Sequence, residues 1–174
     1  MADKLAVYAG TFDPWTVGHQ DVLAAATLLF DRVIVCIMSN PNKNPMFSPD
    51  ERTEIITASI QSEPGLAARK VTVGHFPGRL TTEVASDTGA LWMVRGFRME
   101  TEVSHELEMA LVNSGLDSSI TTVFIPPRQE HIHVSSSTVR SLIRLGRAAN
   151  ALPMLVDGIE PVLVRMLEQD VRMG

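Results

Sequence analysis

Six consecutive apolar residues, Val33-Ile34-Val35-Cys36-Ile37-Met38, constrain this chain more than any other feature. A strand with one face in water alternates apolar and polar side chains. A strand that is apolar at every position must be covered on both faces, and such strands belong to parallel sheets sandwiched between helices. Leu5–Ala9, Val71–Val73, Leu91–Val94 and Thr121–Ile125 carry further strand signals. Amphipathic stretches separate them: Gly18–Leu29, a segment from Ser48 to about Ser62, Leu80–Thr88, Thr101–Asn113, Ser137–Leu145 and Pro161–Gln169. Ser48-Pro49-Asp50-Glu51 has the form of a capping box with proline in the first turn. Five strands alternating with helices predict an α/β, Rossmann-like, doubly wound five-stranded parallel sheet with helices on both faces, and with both strands of the first βαβ unit central. The 174 residues suit one domain spanning the chain.

Composition narrows the partners. A net charge of -5 excludes a broad nucleic-acid surface, so phosphate binding must rest on a few placed groups. Cys36 is the single cysteine, which excludes an internal disulfide and a Cys-rich zinc site. Met1-Ala2-Asp3-Lys4 offers no apolar signal region, and no apolar run approaches the roughly 20 residues of a membrane helix. The expectation is a cytoplasmic protein with no membrane or nucleic-acid partner.

Ligands of doubly wound sheets bind beyond the carboxyl ends of the strands. Four segments fall there. Gly10-Thr11-Phe12-Asp13-Pro14, followed by Thr16-Val17-Gly18-His19, joins the first strand to the first helix. Gly10 is expected to allow a tight turn and a close phosphate, while Gly18 and His19 stand where a helix start favours an anion. A plain strand-to-helix turn with a chance histidine is the alternative for the Gly-His pair alone. Asn40 to Ser48, ending in Glu51-Arg52, contains Lys43, either a phosphate ligand or a solvated loop lysine. Arg95-Gly96-Phe97-Arg98 offers two forked guanidinium groups or a surface arginine pair. His131-Ile132-His133-Val134-Ser135-Ser136-Ser137-Thr138-Val139-Arg140 leads into a helix with more hydroxyls than one cap requires. The two histidines have no Cys or acidic partner at metal-ligand spacing, so no metal site is assigned. The scattered methionines read as core filler, and His75 as a strand-end residue.

In order and approximate spacing, these four blocks resemble the nucleotidyltransferase superfamily with an (H/T)xGH motif. Within it they are most similar to the phosphopantetheine adenylyltransferases of bacterial coenzyme A synthesis, over Tyr8 to about Arg144. The resemblance implies transfer of AMP from ATP to 4'-phosphopantetheine, giving dephospho-coenzyme A and pyrophosphate. It implies His19, Lys43, Arg98 and Ser136 as catalytic residues, and Thr11, Lys43, Thr81, Arg95 and Asn113 on the acceptor. It implies Thr11, Phe12, His19, Gly96, Phe97, Arg98, Glu106 and residues His131, Ile132, His133, Val134, Ser135, Ser136 and Ser137 on ATP. Mg²⁺ accompanying ATP, coenzyme A as an inhibitor and a homohexamer are implied in the same way. Three departures stand out. His131 replaces the usual Trp or Tyr, Val134 replaces Ile, and Thr81 interrupts an apolar pair.

The reaction needs no side-chain nucleophile, because the acceptor phosphate is already anionic. Catalysis is then positioning and charge stabilisation. A relative such as an NMN adenylyltransferase favours a glycine-rich first loop and an Ile-Ser-Ser-Thr string, whereas this chain has Gly10 and three serines. A non-catalytic nucleotide sensor would have no need of His19 and the arginine pair.

Overall fold

The computed structural model describes residues 3–39, 44–98, 100–157 and 159. Its elements run β1 (Leu5–Gly10), α1 (Val17–Leu29), β2 (Arg32–Met38), α2 (Pro49–Ser62), α3 (Pro64–Ala67), β3 (Lys70–Phe76), α4 (Thr81–Thr88), β4 (Trp92–Gly96), α5 (Glu100–Leu116), β5 (Thr121–Ile125), α6 (Ser136–Arg144) and α7 (Ala148–Ala151). The five strands form one sheet in the order β3-β2-β1-β4-β5, and every pairing is parallel. β1 sits in the middle with β2 beside it, so both strands of the first βαβ unit are internal, as expected. The strand order reverses at β1, with β2 and β4 on its two sides. That switch point is where a doubly wound sheet opens a crevice.

Alternation along the strands sorts the core into two layers. Ala6 and Tyr8 of β1, with Val33, Val35 and Ile37 of β2, face a layer built from α1, α2, α6 and α7. Leu5, Val7 and Ala9, with Cys36 and Met93, face Val84 and Ala85 of α4. β2 is therefore apolar from Val33 to Met38 because both layers cover it. Burying one such aliphatic side chain stabilises the fold by about 1.5–3 kcal/mol.

The α2 cap is the predicted one. Ser48 Oγ accepts from the Glu51 amide at 3.2 Å and Glu51 Oε2 accepts from the Ser48 amide at 2.9 Å. α3 and α7 are single turns that the sequence reading did not foresee. The expected helix Pro161–Gln169 lies outside the described residues. Among the described residues no helix is long and apolar enough to cross a membrane.

Candidate active site

The first loop corrects the expectation for Gly10. That residue remains inside β1, and the left-handed turn is made by Phe12 at φ 48°. A Cβ on Gly10 would stand 2.8 Å from Phe12 Cε1, so the glycine admits the Phe12 ring instead of turning the chain. That ring lies 5.1 Å from Tyr8, 4.9 Å from Trp15 and 5.2 Å from His19, centroid to centroid. These contacts hold a backbone conformation that costs a non-glycine residue about 1–2 kcal/mol. Phe12 was expected on ATP. Its ring is in the core, which leaves its backbone as the part a ligand can meet.

His19 occupies the third helical position of α1, after the Thr16 cap. Its Nδ1 accepts the Thr16 amide hydrogen at 3.1 Å and lies 3.0 Å from Thr16 Oγ1. A backbone amide can only donate, so Nδ1 carries the lone pair and Nε2 carries the hydrogen. Burial, with Arg98 adding to it, pushes the His19 pKa down to about 3. The side chain is thus a neutral imidazole with a single N–H, set at a helix N-terminus where backbone N–H groups already favour an anion.

Arg98 and the serine run close one side of this region. Arg98 donates from Nη1 to the Val134 carbonyl at 2.6 Å and pairs through Nη2 with Glu102. Its amide donates to Glu102 Oε2 at 2.9 Å. Glu102 is therefore both a first-turn acid and an arginine partner. Ser135 caps α6, accepting from the Thr138 amide at 2.9 Å. Ser136 Oγ donates to the Pro14 carbonyl at 2.8 Å, tying α6 to the first loop. Val134 is buried, so its side chain belongs to the core and its carbonyl to Arg98. Gly96 lets β4 approach α1, since a Cβ there would meet Val22 Cγ2 at 3.0 Å.

On the other side, Arg95 holds Glu106 with two bonds, Nε to Oε2 at 2.6 Å and Nη2 to Oε1 at 2.8 Å. Its Nη1 donates to the Ala9 carbonyl at 3.0 Å, which joins the third block to the end of β1. Glu106, expected beside the nucleotide, is first of all the anchor of Arg95. Asn113 donates to Met93 Sδ at 3.3 Å, and Thr81 opens α4. No described contact links either of them to the other site residues. Lys43 lies outside the described residues.

Sequence reasoning left four residues unassigned that organise the site. Asp13 is buried, and its carboxylate accepts from the Met46 and Phe47 amides at 2.9 Å each. It pins the segment before α2 to the first loop. Arg140 of α6 donates to the Asp13 carbonyl and stands 3.6 Å from its carboxylate. Arg52 of α2 donates to the Thr11 carbonyl at 2.6 Å. Asp21, buried on α1, accepts from His131 Nδ1 at 2.6 Å and Arg128 Nε at 2.7 Å. The acidic partner that His131 lacks in sequence is thus supplied from α1. Asp21 carries no local signal, whereas Arg52 and Arg140 close the second and fourth sequence blocks. Asp13 sits within the first block and could have been flagged there. His133 and Ile132 are exposed, and Phe97 stacks edge-on to Phe124 at 6.2 Å. Among the described residues no three His, Cys, Asp or Glu side chains gather in a way that could hold a metal ion.

The blocks around β1, β4 and α6 therefore converge at one edge of the sheet. They present a neutral N–H donor, two helix N-termini, two braced arginines and serine hydroxyls. Residues 7–142 match the model of the cytidylyltransferase-like family. The phosphopantetheine adenylyltransferase of Lacticaseibacillus casei is 37% identical over 146 residues, 84% of each protein. Its counterpart from a Synechococcus species is 41% identical over 142 residues, 82% of this chain and 86% of that protein. The one from an Azoarcus species is 33% identical over 171 residues, 98% of each. Among solved structures, the Plasmodium falciparum nicotinic acid mononucleotide adenylyltransferase superposes with a TM-score of 0.67 over 97% of this chain and 96% of that one. At 13% identity that likeness speaks for the fold alone.

Proposed function

We infer the activity from one premise: the chain belongs to the cytidylyltransferase-like family and, within it, to the phosphopantetheine adenylyltransferases. It is a nucleotidyltransferase that moves AMP from ATP to 4'-phosphopantetheine, with dephospho-coenzyme A and pyrophosphate as products. The acceptor's phosphate oxygen forms the new bond to the α-phosphorus. The bond from that phosphorus to the α–β bridging oxygen breaks, and its electron pair leaves on pyrophosphate.

One observation carries the mechanism: His19 is neutral, with its hydrogen on Nε2. A neutral donor cannot add a ground-state charge that binds ATP tightly. Its hydrogen bond strengthens as charge builds on the phosphoryl and bridging oxygens, so it favours the transition state over bound ATP. In this proposal Arg98, Ser136 and Lys43 hold the same developing charge. Thr11, Gly96, Phe97, Glu106 and residues 131–137 frame ATP, with Phe12 contributing its backbone. Arg95, Lys43, Thr11, Thr81 and Asn113 take the acceptor. Mg²⁺ travels on the triphosphate, since phosphates and water commonly supply its ligands. The setting is cytoplasmic and coenzyme A inhibits.

A homohexamer completes the proposal. It is supported by α5, whose Leu107, Leu111, Val112 and Leu116 stand about half or more exposed. Such a face favours burial against protein. Sedimentation equilibrium tests the assembly, and a monomer at micromolar concentration rejects it. The activity is tested by pyrophosphate release from ATP over a panel of acceptors. Release is expected with 4'-phosphopantetheine and not with nicotinamide mononucleotide. A preference for the mononucleotide, or no release with either, rejects the reading.

A further inference from the structure

Tyr8 is a buried polar residue with no task in the transfer chemistry. Its ring belongs to the core, 5.1 Å from Phe12 and 6.0 Å from Trp15 between centroids, and the residue is 3% exposed. No described hydrogen bond reaches its hydroxyl. Among the described residues, every side-chain nitrogen or oxygen sealed from solvent has a hydrogen-bond partner. The hydroxyl is therefore the part of this side chain that meets the surface.

The sheet register fixes which surface that is. Tyr8 pairs with Val94, yet its hydroxyl stands 3.7 Å from the place a Cβ on Gly96 would occupy. The side chain thus leans toward the carboxyl end of β4 and ends under Gly96, beside Val22 of α1. That is the crevice between β1 and β4, at the switch point of the sheet. Burial is the main cause that raises the phenol pKa above the ordinary tyrosine range, and the nearby Arg95 and Arg98 offset it only in part. The hydroxyl stays protonated, so it both donates and accepts. A phosphate offers acceptors alone, which the arginines already suit. A sugar hydroxyl donates and accepts, as the phenol does. Val22 follows His19 by three residues, so the two share a face of α1 about one turn apart. A nucleotide with its phosphates at His19 brings its sugar to that next turn.

We propose that the Tyr8 hydroxyl bonds a ribose hydroxyl of ATP and makes the site selective for ribonucleotides over their deoxy analogues. Gly96 takes part by leaving open the space that a side chain would fill above the phenol. The inference rests on the adenylyl-transfer reading for naming ATP as the nucleotide. The acceptor carries hydroxyl groups too, and the test separates the two ligands.

ATP, 2'-deoxy-ATP, 3'-deoxy-ATP and 4'-phosphopantetheine are titrated singly by calorimetry into the full chain and into Tyr8→Phe. Phenylalanine keeps a ring against Phe12 and Trp15 and removes only the hydroxyl. The wild type should prefer ATP over one of the two deoxy analogues by about tenfold, the size of one neutral hydrogen bond. In the variant that preference should fall to within twofold, through weaker ATP binding, while affinity for 4'-phosphopantetheine stays within twofold of wild type. A wild type indifferent to both sugar hydroxyls overturns the proposal without any variant. A preference that survives in Tyr8→Phe overturns it as well. Equal weakening of ATP and both analogues means that the phenol meets a phosphate or only supports the fold, and a selective loss of acceptor affinity means that it meets the acceptor; either result rejects the sugar contact. Tyr8-dependent sugar selectivity in a protein that fails to adenylylate phosphopantetheine would reject the function and leave the contact standing.

Discussion

The depressed pKa of His19 makes a stability prediction that does not depend on any substrate. In the unfolded chain the imidazole titrates near its ordinary 6.5, and in the folded protein near 3. Between those values the unfolded state binds the proton and the folded state does not. Stability contributed by His19 is therefore complete above pH 6.5 and is lost as pH falls toward 3. At pH 4 the unfolded state gains roughly 2.5 pH units of proton binding relative to the folded state, which at 1.36 kcal/mol per unit is about 3 kcal/mol. The ring keeps partial exposure, so this figure is an upper bound. His19→Gln isolates the effect. A glutamine side-chain oxygen can still accept the Thr16 amide, as in a capping box, but it does not titrate. Urea unfolding of both proteins at pH 7 and pH 4 should show the wild type losing up to about 3 kcal/mol more than the variant, every other titrating group being common to both. A difference under about 0.5 kcal/mol, or one of opposite sign, would mean that the imidazole is not held neutral by the fold.

Four further outcomes follow from the same geometry. His19→Ala should fold, bind ATP within a few-fold of wild type, and turn over about a hundredfold or more slower; equal losses in ATP binding and rate would remove the transition-state role. Because His19 is neutral throughout, the wild-type kcat–pH profile should lack an ionisation near 6.5 that disappears in His19→Gln. Gly10→Ala should lower stability by about 1–3 kcal/mol in chemical denaturation, since its Cβ meets the Phe12 ring at 2.8 Å; an unchanged midpoint would show that the ring shifts freely. Asp13→Asn should cost about 1–3 kcal/mol and slow turnover, because an NH₂ group replaces one of the two oxygens that accept from the Met46 amide and the charge assisting both bonds is lost; full activity would detach Asp13 from the site.

Features written in short stretches of chain were legible. The all-apolar β2 announced a two-sided burial, and the Ser48–Glu51 box announced the start of α2, because both depend on neighbours within four residues. The first loop and the serine run were legible as blocks, and α6 brings Ser136 to the carbonyl of Pro14. The connections that brace the site were not legible. Asp13 reaches Phe47 across 34 residues, and Asp21 reaches His131 across 110. Nothing near either acid in sequence announces the partner. Gly10 was misread for a different reason. A glycine after a strand can mean a turn or a close approach, and only the placement of the Phe12 ring decides between them. α3 and α7 were missed because four residues are too few for a periodic pattern.

The braced arginines explain why this site divides its work. Arg95 uses Nε and Nη2 on Glu106 and one Nη1 hydrogen on the Ala9 carbonyl. A guanidinium has five N–H groups, so two remain for a ligand without breaking the pair. Its plane is fixed before any phosphate arrives, which spares the ordering cost of a long side chain. The same glutamate cancels most of its long-range field. Arg98 stands in the same relation to Glu102. Such groups are good at fixing direction and poor at neutralising a polyanion. The charge of a departing pyrophosphate must then be met by donors that are not paired off, among them the N-termini of α1 and α6, whose partial charges act within one turn. Orientation at β4 and charge neutralisation at the two helix starts thereby fall to different groups. A substitution at Arg95 should accordingly disturb alignment more than it weakens binding of the polyanion.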